Sequence, residues 1–191
     1  MGRRRCNTLL LTFYRSQNHH HLPAFHHRVL HADPHPGNYL FGEDGRVAVL
    51  DFGCVKRFDE FFLGRYANTV LGALDKDKDA TLAACEALGV WDGRRSEAGD
   101  AIWAFCEAAV GPWLDGESTL GQEENLVTRC APATRELWKY PEIRGAKDMV
   151  YLHRTLGGLY VLARQLGVRA EWKHVLRSHM THAVDVAEGR V

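Results

Sequence analysis

One stretch, from His31 to Gly53, leaves this chain few ways to fold. It opens with His31-Ala32-Asp33-Pro34-His35-Pro36-Gly37-Asn38 and closes with Asp51-Phe52-Gly53. Between them Tyr39-Leu40-Phe41 and Val47-Ala48-Val49-Leu50 are short apolar runs, separated by Gly42-Glu43-Asp44-Gly45. That pattern predicts two paired strands joined by a polar four-residue loop. A hairpin of this length brings Asn38, just ahead of the first strand, and Asp51, just behind the second, to the same end. An amide and a carboxylate held side by side are hard oxygen donors of the kind Mg²⁺ takes, and that ion usually draws only one or two ligands from protein.

An Asp, an Asn five positions on and a later Asp-Phe-Gly also make the spacing of kinase-type phosphoryl transfer. There the first Asp orients the accepting group, and the Asn and second Asp hold metal ions that neutralise the triphosphate. The wording differs from the His-Arg-Asp-Leu pattern of ordinary protein kinases. His31 to Asn38, followed by Asp51-Phe52-Gly53, resembles the UbiB (AarF) family of atypical kinase-like proteins. Tyr151-Leu152-His153-Arg154-Thr155-Leu156-Gly157-Gly158-Leu159-Tyr160, running on to Leu166-Gly167, resembles that family's late helix, so the likeness covers residues 28 to 170.

The resemblance implies an α+β, mainly α fold: a kinase-like large lobe at 28–188, with a short catalytic-loop hairpin and a helical bundle. It implies Asp33 as the catalytic or nucleophile-orienting carboxylate and His31 as a scaffold residue for the loop. Asn38 and Asp51 become the metal ligands, and Phe52 and Gly53 set the shape of the metal-binding turn. ATP and Mg²⁺ are the implied cofactors, and the implied setting is ubiquinone and isoprenoid-lipid metabolism with an unknown small-molecule or lipid acceptor. Two alternatives stay open. One is a non-catalytic, pseudokinase-like module that binds a partner. The other is a small-molecule phosphotransferase of the aminoglycoside or choline kinase type, disfavoured by Phe52-Gly53.

A kinase-like site also needs a small lobe carrying a Lys for the phosphates and a Glu that holds it. The first Lys of the sequence is Lys56 and the first Glu is Glu43, both after the catalytic loop. The expectation is therefore a large lobe without its lid, completed by a separate small lobe or partner protein. Residues 1–27 are expected to lie outside the folded domain, as a disordered basic tail or a start placed inside a longer reading frame. They hold Arg3-Arg4-Arg5 and the run His19-His20-His21, and a transition-metal site there lacks paired ligand spacing and any acidic ligand before Asp33.

With 191 residues and 46% hydrophobic content, the chain is expected to bury one core. Lys plus Arg equals Asp plus Glu at 24 each, so no global field favours nucleic acid or an anionic membrane surface. Five scattered Cys without a Cys-x-x-Cys pattern suit reduced thiols, and no apolar run approaches bilayer length. The resulting expectation is a cytoplasmic chain, peripheral to the inner membrane through partners.

After Asp51 the periodicity is helical. Phe62, Tyr66, Val70 and Leu74 mark one buried face, Thr81 to Leu88 a second helix closed by Gly89, Asp100 to Val110 a third, and Met149 to Leu166 a fourth. Prolines 112, 132 and 141 are expected in the connections. Gly157 and Gly158 each cost a helix about 1 kcal/mol relative to Ala, so another segment is expected to approach closely there. Asp75-Lys76-Asp77-Lys78-Asp79 imitates a calcium loop, but Ala80 replaces the required Gly, and helix capping is the better account. The five Trp are expected in or near the core.

Overall fold

The computed structural model describes residues 23–42, 47–114, 117–119 and 125–191. The expectations for the Arg3–Arg5 and His19–His21 runs, for Cys6 and for the hairpin tip lie outside those residues. The described residues open with a short helix α1 (Pro23–His26) and strand β1 (Val29–His31), followed by a 3₁₀ turn (Pro36–Asn38). The hairpin strands are β2 (Tyr39–Phe41) and β3 (Val47–Val49), paired antiparallel with Tyr39 opposite Val49. Strand β4 (Val55–Arg57) returns beside β1, pairing His31 with Val55. The two ladders therefore flank Asp51-Phe52-Gly53 in sequence.

Helices make up most of the remainder, so the fold is α+β and mainly α. They are α2 (Glu60–Leu74), α3 (Lys78–Ala87), α4 (Ser96–Val110), α5 (Leu126–Leu137), α6 (Lys147–Gln165) and α7 (Trp172–Ala187). A small pair, β5 (Glu117–Thr119) with β6 (Arg169–Glu171), ties the approach to α5 to the start of α7. The Asp59 carboxylate starts α2 by accepting from the Phe61 and Phe62 N–H groups, and Asp77 starts α3 by accepting from Ala80. That use of Asp77, with Asp75 ion-paired to Arg177 on α7, is the work done by the residues of the calcium-like sequence. Gly89 follows α3 at φ +78°, a left-handed turn that costs glycine little.

The main core joins α1, β1, α2, α6 and α7 around Phe25, Leu30, Leu63, Leu152, Met180 and Ala183. Fully burying a side chain such as Leu63 or Leu152 contributes about 1.5–3 kcal/mol. Ala24 and Phe25 belong to this core, so packing reaches back past the boundary expected at residue 28. A second cluster stacks Trp113 edge-on to Trp172 and Tyr160. Trp138, by contrast, is 85% exposed, so the five Trp do not all serve the core.

Pro132 is a further departure, because it sits inside α5 rather than in a connection. Its missing N–H orphans the carbonyl four residues earlier, at Thr128. Thr128 is exposed, where water can satisfy that oxygen, and none of α5 is buried.

Candidate functional site

The loop at residues 31–38 is shaped by its prolines and its glycine. Pro36 opens the 3₁₀ turn, whose Gly37 N–H is accepted by His35 Nδ1 at 3.1 Å, and the Asn38 N–H closes onto the His35 carbonyl at 3.0 Å. The turn points the Asn38 side chain back at Asp33. Its Nδ2 donates to Asp33 Oδ2 at 2.8 Å and to the Asp33 carbonyl at 3.3 Å. Both partners are acceptors, so the amide nitrogen must face them and the amide oxygen is left facing away.

The second half of the site arrives through the hairpin. Beyond the β2–β3 ladder, the Leu50 N–H donates to the Asn38 carbonyl at 2.8 Å, which delivers the next residue, Asp51, beside the end of the catalytic loop. His31 fastens this junction from the other strand pair. Its Nε2 lies 3.0 Å from the Leu50 carbonyl and 2.9 Å from the Asp51 carbonyl, so that nitrogen carries the proton and donates to both. The Ala32 N–H adds a bond to the Cys54 carbonyl at 2.8 Å. Among the described residues the buried His31 Nδ1 has no partner.

Asp51 has φ +53°, a left-handed conformation that costs most residues about 1–2 kcal/mol and that Asp tolerates better. Its Oδ1 accepts from the Gly53 N–H at 3.1 Å, which fixes the Asp-Phe-Gly turn, and among the described residues Oδ2 has no partner. Phe52 is 68% exposed and meets the His31 ring edge-on at 5.6 Å. The structure thus brings Asp33, Asn38, His31 and the Asp51 backbone into one connected set, with Phe52 and Gly53 on its rim.

Three further residues support the loop in ways the motif does not reveal. Tyr39 is buried under the loop, with its hydroxyl pKa held above the usual value by that burial and by the Asp33 charge. Pro34 rests on α6 at Gly158, where an added Cβ would come within 2.3 Å of the proline Cγ. Lys56, two residues past Cys54, forms a 2.7 Å ion pair with Asp148 in the first turn of α6 and lies over the rings of Phe58 and Tyr151. Gly158 is the only one of these contacts with a signal in the sequence, a glycine inside a helical pattern.

Comparison with known proteins follows the same stretch. The family model of the ABC1 atypical kinase-like domain matches residues 18–84. The chain is 22% identical over 169 residues to the atypical kinase COQ8, mitochondrial, of Schizosaccharomyces pombe, a match covering 83% of this chain and 27% of that protein. It is 36% identical over 63 residues to an uncharacterized protein of Synechocystis sp., covering 33% of this chain and 11% of that one. It is 39% identical over 54 residues to a second uncharacterized Synechocystis protein, covering 28% and 8%. The chain thus spans about a quarter or less of the length of the curated relatives it matches. The loop, the hairpin and these matches together make residues 18–84 similar to the ABC1 atypical kinase-like domain, and most of the chain more distantly similar to an atypical kinase of the COQ8 type.

Proposed function

We propose that residues 31–53 bind Mg-ATP and serve phosphoryl transfer or ATP hydrolysis. The observation that carries this reading is the pair of bonds that bracket the loop: the Asn38 amide on the Asp33 carboxylate, and the Leu50 N–H on the Asn38 carbonyl. The donor chemistry fits the ion. The Asn38 amide oxygen and Asp51 Oδ2 are two hard oxygens left over after every other polar atom of those side chains is engaged. Bound there, Mg²⁺ would neutralise phosphate charge.

Asp33 keeps Oδ1 for the accepting hydroxyl or water, while Asn38 holds Oδ2 and so fixes which way the carboxylate faces. His31 positions the turn and touches no reacting atom. A kinase-like site also takes a phosphate-clamping Lys held by a Glu, and a small lobe or partner would contribute that pair. The acceptor would be a small molecule or lipid, in keeping with ubiquinone and isoprenoid-lipid metabolism in the family. No helix of the described residues is long and apolar enough to cross a membrane, and peripheral attachment through partners is the setting we favour.

The test is Mg-dependent ATP binding by calorimetry, with Asp51→Asn and Asn38→Ala alongside. Each variant is expected to weaken binding by about tenfold or more, equivalent to about 1.4 kcal/mol. Unchanged affinity in both would remove the assignment. A second reading is a partner-binding module that turns nothing over. Robust ATP turnover by this chain alone would eliminate it.

A further inference from the structure

The helical layer encloses more empty space than its core packing requires. Two half-open cavities of about 630 Å³ and 430 Å³ run between the helices. Protein interiors are packed nearly as densely as organic crystals, and voids much larger than a water molecule are few. The smaller cavity is walled by five helices: Val70 of α2, Phe105 of α4, Cys130 of α5, Leu156 of α6 and Leu176 of α7 stand around it. It is therefore a cleft between helices that opens to solvent on one side, and its walls are overwhelmingly apolar. The two cavities share Tyr66, Val70, Phe105, Ala109, Val110 and His153, so they meet at that wall.

Gly157 supplies an independent observation. Of the two glycines inside α6, Gly158 is explained by Pro34 of the catalytic loop, whereas a Cβ added at Gly157 would meet nothing within 4 Å. No neighbouring segment needs a glycine there. Gly157 lines the smaller cavity, and its missing side chain widens it. Polar groups are few and gathered. The Tyr66 hydroxyl and the His153 imidazole stand at the junction of the two cavities, their rings 5.7 Å apart, with no hydrogen bond to another described residue. Burial lowers the His153 pKa, which keeps that imidazole neutral and able to offer one donor and one acceptor.

We propose that this space is a binding site for an uncharged, elongated apolar molecule bearing one hydrogen-bonding group. Its apolar body would lie along Leu156, Gly157, Tyr160 and Trp172, with its polar group at Tyr66 and His153. The volume suits such a ligand, because binding pockets for small organic molecules span about 300–1,000 Å³ and are mostly apolar with a few placed polar groups. Water would gain little from walls that offer it so few partners. The inference stands apart from the nucleotide reading, and its test contains no nucleotide.

The probe is N-phenyl-1-naphthylamine, a neutral aromatic with a single N–H, titrated by fluorescence into the full chain. Saturable binding of one probe per chain is expected. Gly157→Leu, which projects four carbons into the smaller cavity, is expected to weaken it about tenfold or more with an unchanged circular dichroism spectrum. Tyr66→Phe is expected to weaken it by about threefold to tenfold, the worth of one hydrogen bond. Unsaturable binding, or a folded Gly157→Leu variant that binds as the parent does, overturns the proposal. Gly157→Ala is scored in the same way should the leucine variant misfold, and unchanged affinity in that variant would then overturn it.

Discussion

At the scale of single residues, the site depends on atoms whose hydrogen-bonding roles have no alternative. Asn38 must turn its nitrogen to Asp33 because both groups it meets are acceptors, and that choice leaves its oxygen without a partner among the described residues. Asp51 combines a left-handed backbone with a side chain tied to Gly53, so charge and conformation can be separated by the substitution chosen. Asp51→Asn keeps a residue that tolerates the left-handed region, and its stability to urea is expected to stay within about 0.5 kcal/mol of the parent. Asp51→Val removes the carboxylate and puts a β-branched residue at positive φ, so a loss of about 1–3 kcal/mol is expected in the same measurement. Equal midpoints for the two variants would show that the backbone at 51 carries no strain. Asp51→Asn is accordingly the variant that isolates ligand chemistry in the nucleotide test.

At the scale of elements, α6 is the beam on which the loop sits, and its adjacent glycines have different reasons to be there. Gly158 accommodates Pro34, so Gly158→Ala forces the loop or the helix to shift and is expected to destabilise by about 1–3 kcal/mol. Gly157 faces open space, so Gly157→Ala is expected to stabilise by about 0.5–1 kcal/mol through helix propensity alone. Chemical denaturation of the two variants should therefore move in opposite directions, and movement in the same direction would contradict the packing described. Helix α2 begins at Asp59, whose carboxylate accepts from two backbone N–H groups. Asp59→Ala is expected to cost about 1 kcal/mol, read from the same urea midpoints.

At the scale of the whole molecule, His153 couples the helical layer to pH. Burial holds its pKa below the ordinary 6.5, so the unfolded chain takes up a proton near that value while the folded chain takes it only at lower pH. Its contribution is therefore fully present above about pH 6.5 and is lost as pH falls through the lowered folded value. His153→Gln is expected to flatten that slope, checked by melting temperatures between about pH 7.5 and 5. The hairpin and four of the helices were legible in the chain because each rests on local rules: turn residues, alternation and a recurring apolar face. Gly158 was legible as a demand for close approach, though its partner Pro34 was not, and the same demand at Gly157 was not met. Helices α5 and α7 carried weaker signals, since α5 has no fully buried residue and contains Pro132, and the apolar positions of α7 are interleaved with charged and histidine residues. The amino acid order by itself determined the chemistry available at Asp33, Asn38 and Asp51, because those residues lie on the approach to one hairpin and on its exit, and short-range geometry brings the two together. Only the tertiary structure decided what supports that hairpin and what space lies between the helices. Those depend on contacts between residues far apart in the chain, such as Pro34 with Gly158, Lys56 with Asp148 and Tyr66 with His153, which no local pattern encodes.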